Sequence, residues 1–223
     1  MKRLISVILA LVMLASCFGI SAFAAETPKA DALLDRLETE DEVLVSINSG
    51  STKLFGFWPS DIKNTVAVKG NAIAYEYSAG FLKVRVVASD DGIYAFIPTL
   101  PYFYVKLEKN PLEGADVWQM VKEAANLTQG LMRYLENGNE TVDGKEYYVE
   151  KYDDREFVTT KFYFDGDELK MLKVEDSSTH SIQYTYFDDI TFDVDDSFFE
   201  VPKGAFDLSP ILTGLILAII AAA

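Results

Sequence analysis

Cysteine, histidine and basic charge are what this chain has least of. Its 223 residues hold one cysteine, Cys17, one histidine, His180, and 20 Lys and Arg against 35 Asp and Glu. A single cysteine makes no internal disulfide, so the body must stand on its hydrophobic core. One histidine and one cysteine, far apart, exclude a Cys/His zinc cluster. No Walker sequence, G-x-G-x-x-G or G-x-S-x-G elbow occurs, and His180 sits in a Ser-Thr-His-Ser stretch with no nucleophile motif before it. The acid excess argues against nucleic acid and against charge-driven adhesion to anionic head groups.

Acid is plentiful but poorly arranged for chemistry. Asp153/Asp154, Asp188/Asp189 and Asp195/Asp196 are adjacent pairs. Neighbours on a strand point to opposite faces, so each makes a poor acid/base couple. Residues 188–200 lack the glycine and spacing of a calcium loop. The expectation is therefore a non-catalytic chain without cofactor or metal.

What is present in abundance lies at the two ends. Lys2 and Arg3 precede an uncharged apolar run from Leu4 to Leu14, and Ala22-Phe23-Ala24 supplies a small-x-small cleavage site. This is a secretory signal over residues 1–24, with cleavage expected before Ala25. Leu14-Ala15-Ser16-Cys17 offers a second reading, a lipobox that places a lipid on Cys17. Removing residues 1–24 takes away Lys2 and Arg3 and no acid, so the formal charge falls from −15 to −17. At the other end, residues 205–223 close the chain with an apolar tail, uncharged from Leu208 onward. From Pro210 it would reach about 21 Å as a helix, short of a hydrocarbon layer of about 30 Å. It is read as a possible membrane anchor, with packing on the body and truncation of a longer segment as the alternatives.

The body, residues 25–204, suits one domain. Ala32, Leu33, Leu34 and Leu37 lie on one face of a short helix within residues 29–38. Alternation then predicts strands at 42–48, 52–57, 62–68, 72–77, 81–88 and 93–97, with turns at Asn48–Ser51, Lys69–Asn71 and Asp90–Gly92. Val117, Val121, Ala124, Leu131 and Leu135 recur every three to four residues or at multiples of that spacing, which predicts a helix over 112–136 capped by Gly138. Period two returns at 145–151, 156–164, 168–175, 180–187 and 190–194. About ten strands and two helices pack most simply as an α+β fold, one curved antiparallel sheet with helices over its concave face.

Three stretches resemble the bacterial lipoprotein carrier and acceptor superfamily. They are Asp91 to Pro98 with Tyr102 and Tyr104, Tyr163 to Val174, and Asp193 to Gly204 with its Phe199-Glu200-Val201-Pro202 ending. The resemblance runs across about residues 30–204 and implies an unclosed β-barrel with helices as a lid over an apolar cavity. It also implies binding of an acyl chain or a lipoprotein, and a closing strand at the third stretch. It does not select an acyl-contacting arginine among Arg85, Arg133 and Arg155.

Large aromatics beside Gly or Pro, or on the second helix, are the candidate cavity mouth: Phe55, Phe57, Trp58, Tyr102, Phe103 and Trp118. The function expected is an extracytoplasmic module that binds an apolar ligand or lipid and is held at or near the membrane. The alternative is a cell-surface structural or protein-interaction domain with no small ligand.

Overall fold

The computed structural model describes residues 28–54, 58–98, 103–107, 116–129, 133–154 and 156–209. The export signal, Cys17 and the tail beyond Ser209 lie outside them. Among the described residues two helices, α1 (Lys29–Thr39) and α2 (Val117–Gln129), accompany twelve strands. The strands are β1 (Glu42–Leu54), β2 (Trp58–Lys69), β3 (Ala72–Ala79), β4 (Leu82–Ser89), β5 (Gly92–Phe96), β6 (Phe103–Leu107), β7 (Arg133–Val142), β8 (Lys145–Asp153), β9 (Val158–Asp165), β10 (Glu168–Asp176), β11 (Ser181–Thr191) and β12 (Phe206–Asp207). They form one open sheet in the order β12-β6-β5-β4-β3-β2-β1-β11-β10-β9-β8-β7. Every pair is antiparallel except β12 on β6. The α+β class and the unclosed barrel expected from the sequence are both present.

Alternation explains the two faces. Val43, Val45, Val66, Val68, Tyr152, Phe162, Phe164, Leu172 and Phe187 are buried on one side, together with Ala30 and Leu34 of α1 and Val117 and Trp118 of α2. Ile73 and Tyr75 of β3 and Tyr148 of β8 pack against the same cluster. Seven adjacent strands laid flat would span roughly 29 Å at about 4.8 Å each. Strands at both ends of that span share one cluster with two short helices, so the sheet curls around them. This is the inner face.

The outer face carries two smaller clusters. Ala67, Ala74, Val87 and Phe96 are roofed by Val194, Phe198, Phe199 and Val201, while Val149, Tyr163 and Met171 form the other. The stretch Asp193–Gly204 is therefore not a closing strand. It crosses the outer face as an irregular strap with a 3-10 turn at Asp196–Phe198. Arg85 holds it down: its guanidinium lies 3.9 Å from the Phe198 ring centroid and donates to the carbonyls of Ser197 and Phe198. Lys69 adds a bond to the Val194 carbonyl and an ion pair with Asp196 at 2.6 Å.

Three expected elements differ. The turn at Asn48–Ser51 is a bulge inside the continuous β1, where the register jumps from Asn48↔Lys63 to Ser51↔Asp61. The Asn48 side chain accepts the Gly50 N–H at 2.9 Å, and Gly50 takes φ +94°. This local turn bends the strand without ending it. The last two strand candidates are likewise one strand, β11, with Asp188 as the extra residue between Ser46↔Asp189 and Ile47↔Phe187. The helix over 112–136 is cut to Val117–Gln129, and Gly138 is not its cap but a mid-strand residue of β7. The cause is the turn that follows. Asp143 and Gly144 take φ +51° and +80°, the positive pair of a two-residue hairpin, and this folds 133–142 back on β8.

Candidate functional site

The inner face beneath the two helices is the candidate site. Helix α1 places Ala30 and Leu34 on the sheet at 1% and 0% exposure. It starts after Pro28, and no side chain of its own caps it. The cap comes from the sheet. Glu150 of β8, fully buried, accepts the backbone N–H of Lys29 at 2.7 Å and of Ala30 at 3.0 Å. Those amides have no partner within the helix, and the helix dipole favours an acid at this end.

Two residues along β8, on the same face, stands Tyr152. Its hydroxyl lies 3.2 Å from Glu150 Oε2 and 3.3 Å from Asp31 Oδ1. Burial is the main cause that pushes the Asp31 carboxyl up to about 7, against the lowering effect of the Tyr152 hydrogen bond; the charges of Glu150 and Asp35 add to the rise. Burial, then the neighbouring acids Glu150 and Asp31, push the Tyr152 phenol far above its ordinary range. Tyr152 also meets Tyr134 and Phe162 edge-to-face, at 5.4 Å and 5.2 Å between centroids. Lys29, beside the cluster in sequence, turns outward to Asp167 at 2.9 Å and to the Gly166 carbonyl, over the ring of Tyr148. The other end of α1 is fixed by Arg36, whose guanidinium lies 4.1 Å from the Phe192 ring centroid.

Helix α2 is started by Asp116, whose carboxyl accepts the Gln119 N–H at 2.8 Å. It carries Val117 and Trp118 into the shared core at 5% and 6% exposure. The indole Nε1 of Trp118 is buried there and has no hydrogen-bond partner among the described residues. In a closed apolar protein such a group is costly, by about 1–3 kcal/mol.

Of the six aromatics singled out in the sequence, Trp118 lies in this interior. Phe103 is 48% exposed on β6, at the sheet edge, 6.4 Å from Phe206 of β12. Trp58 begins β2 opposite Leu54. Phe55, Phe57 and Tyr102 lie outside the described residues. Of the three arginines, Arg85 is bound to Glu76 at 2.7 Å beneath the outer strap, Arg133 to Asp153 at 2.8 Å, and Arg155 is outside the described residues. Neither of the first two serves the inner face. His180 lies exposed in the β10–β11 turn with φ +55°. Among the described residues no group of three His, Cys, Asp or Glu is placed to hold a metal ion.

Asp31, Glu150 and Tyr152 were not singled out by any sequence motif. A signal existed: Glu150 lies between Tyr148 and Tyr152 in the inward register of a strand, where an acid is out of place.

The sequence matches no family profile and no curated protein. Solved structures with some similarity include the following three. An uncharacterized conserved protein from Thermus thermophilus aligns over 80% of this chain and 97% of its own, at 11% identity and TM-score 0.38. MucB aligns over 80% of this chain and 65% of its own, at 11% identity and TM-score 0.34. A domain provisionally assigned to an outer membrane lipoprotein-sorting protein of Vibrio parahaemolyticus aligns over 76% of this chain and 95% of its own, at 8% identity and TM-score 0.24. The fold itself rests on the strand order and registers above, not on these scores.

Proposed function

We propose that this chain is an extracytoplasmic module that binds an apolar ligand, the acyl chain of a lipid or lipoprotein, on the inner face of the sheet beneath α1 and α2. One observation carries the reading. An apolar face continuous over seven strands is roofed by two short helices rather than by a second sheet, and the Trp118 indole N–H stands in it without an acceptor. Short helices can lift off a sheet at modest cost, and a ligand carbonyl would give the indole its partner.

Membrane proximity has its own support. Leu208 donates its N–H to the Tyr104 carbonyl at 2.9 Å, and the Ser209 hydroxyl accepts from Lys106 N–H at 2.6 Å. The apolar tail therefore departs from the β6 edge, beside exposed Phe103 and Phe206. Among the described residues no helix is long and apolar enough to cross a membrane; the tail beyond Ser209 is proposed to dip into one. Residues 1–24 act as the export signal, so the N-terminus of the exported chain is Ala25, which N-terminal sequencing checks.

The test is a titration with N-phenyl-1-naphthylamine. Its fluorescence should rise on saturable binding and fall again when lysophosphatidylcholine is added. No saturable signal, with the protein folded, would count against the reading. A second reading, a protein-interaction domain, is favoured by one feature: Ile182, Tyr184 and Tyr186 stand 55%, 49% and 47% exposed in one row on the outer face of β11.

A further inference from the structure

Three side chains, Asp31, Glu150 and Tyr152, bring their oxygens together at the start of α1, all nine-tenths buried or more. Tyr152 Oη is within 3.3 Å of both acids, yet a hydroxyl has one proton and can donate to one of them. The other contact holds only if an acid donates back. Both oxygens of Glu150 already accept amide hydrogens from Lys29 and Ala30. The remaining proton therefore belongs on Asp31.

We infer that α1 is a proton-dependent lid: with a proton on Asp31 the cluster closes and the helix start is held on β8, and loss of that proton releases the helix and uncovers the apolar face. Among the described residues the groups around Asp31 offer no other source of neutralisation. From α1 itself comes Asp35, from β8 Glu150 and Tyr152, and from β7 Tyr134 with Glu136 beyond it. Helix α2 packs on α1 through Val117 and Trp118, with Lys122 half-buried and Glu123 exposed. Lys29 is engaged by Asp167 in the β9–β10 turn. Among the described residues no cation is paired with Asp31.

The direction follows from the raised pKa of Asp31. The closed lid keeps the Asp31 proton up to about pH 7, whereas a released helix gives it up near 3.8, the ordinary value. Closing therefore takes up a proton between about pH 4 and pH 7, and becomes about tenfold less favourable per pH unit across that window. Above it the dependence ends. This inference concerns regulation of the apolar-ligand site proposed above and rests on that reading for its consequence, not for its mechanism.

Hydrogen exchange of the full exported chain at pH 5.0 and pH 7.5 tests it, with rates corrected for intrinsic exchange. Protection of amides 29–37 should fall by at least tenfold at the higher pH, while β8 and β9 keep theirs. Asp31→Asn, whose amide can donate to Tyr152, should keep α1 equally protected at both values. The wild-type comparison stands even if that variant does not fold. Protection of α1 that is the same at both pH values, or an Asp31→Asn protein with the wild-type response, would overturn the lid. N-phenyl-1-naphthylamine separates the two proposals. A lid that responds while the probe binds at neither pH overturns the ligand reading alone. A probe that binds equally at both, with an unresponsive lid, overturns the lid alone.

Discussion

Glu150 is the residue on which the most depends. It is fully buried and its partners are two helix-start amides and a phenol, so its removal strands three donors at once. Glu150→Ala should lower stability by about 3 kcal/mol or more, read as a drop in the urea midpoint; a change under about 0.5 kcal/mol would mean the cap is satisfied by water. Asp31 has the opposite sign at neutral pH. Its raised pKa gives stability that is full below about pH 4 and lost as pH rises towards 7. Asp176 works the other way. Bonds from Ser178 and Thr179 hold it down at about 2, so its contribution is present above pH 4 and lost on acidification. The melting temperature should therefore peak near pH 4–5 and decline towards pH 7.5. Asp31→Asn should raise it at pH 7.5 by about 3 °C or more and change it little at pH 4.5. A variant with a parallel pH profile would contradict that assignment. Trp118 was visible in the sequence as a large aromatic on a helix. Asp31 and Glu150 were not, because acids look alike until the register of β8 and the first turn of α1 bring them within reach of one tyrosine.

At the scale of elements, the hairpins were legible wherever a tight turn separates two alternating runs, as at Gly70 and Gly166. They were illegible where the chain makes a local detour and continues. Asn48–Ser51 has turn chemistry, but the Asn48–Gly50 bond spends it on a bulge. The largest misreading, the helix carried to residue 136, came from Leu131 and Leu135 at helical spacing. The Asp143-Gly144 dipeptide was the stronger signal, because its positive φ angles commit both flanks to pairing. Two glycines discriminate these views. Gly144 sits at φ +80°, so Gly144→Ala should cost about 1 kcal/mol or more. Gly138 meets nothing within 4 Å of a built Cβ and takes no positive φ, so Gly138→Ala should be neutral or slightly stabilising. A cost at Gly138 as large as at Gly144 would restore the helix-cap reading.

For the whole molecule, one sheet does two jobs with its two faces. The β2–β5 part of the outer face is covered by the Asp193–Gly204 strap, which Arg85 holds from beneath. The inner face is closed by α1 and α2, and of the two roofs only this one rests on a buried acid pair and leaves an indole N–H unpaired. The curl was legible from strand number and period. The strap over β2–β5 was not, since it depends on Arg85 and Phe198 meeting across more than a hundred residues. The tail belongs to this scale as well. Because Leu208 and Ser209 are bonded to β6, a deletion of residues 210–223 should leave the body folded, with unchanged circular dichroism, and shift the protein from the membrane fraction to the soluble one. A deletion that unfolds the protein would place the tail in its core.

Native mass spectrometry of the exported, full-length protein tests the central claim most directly. The account predicts a fraction of the protein carrying one noncovalent adduct with the mass of an acyl lipid, lost on mild activation and diminished in a Trp118→Ala protein. A spectrum of the bare chain alone, from cells and again after incubation with lysophosphatidylcholine, would contradict it and leave the inner face as a packed core beneath two fixed helices.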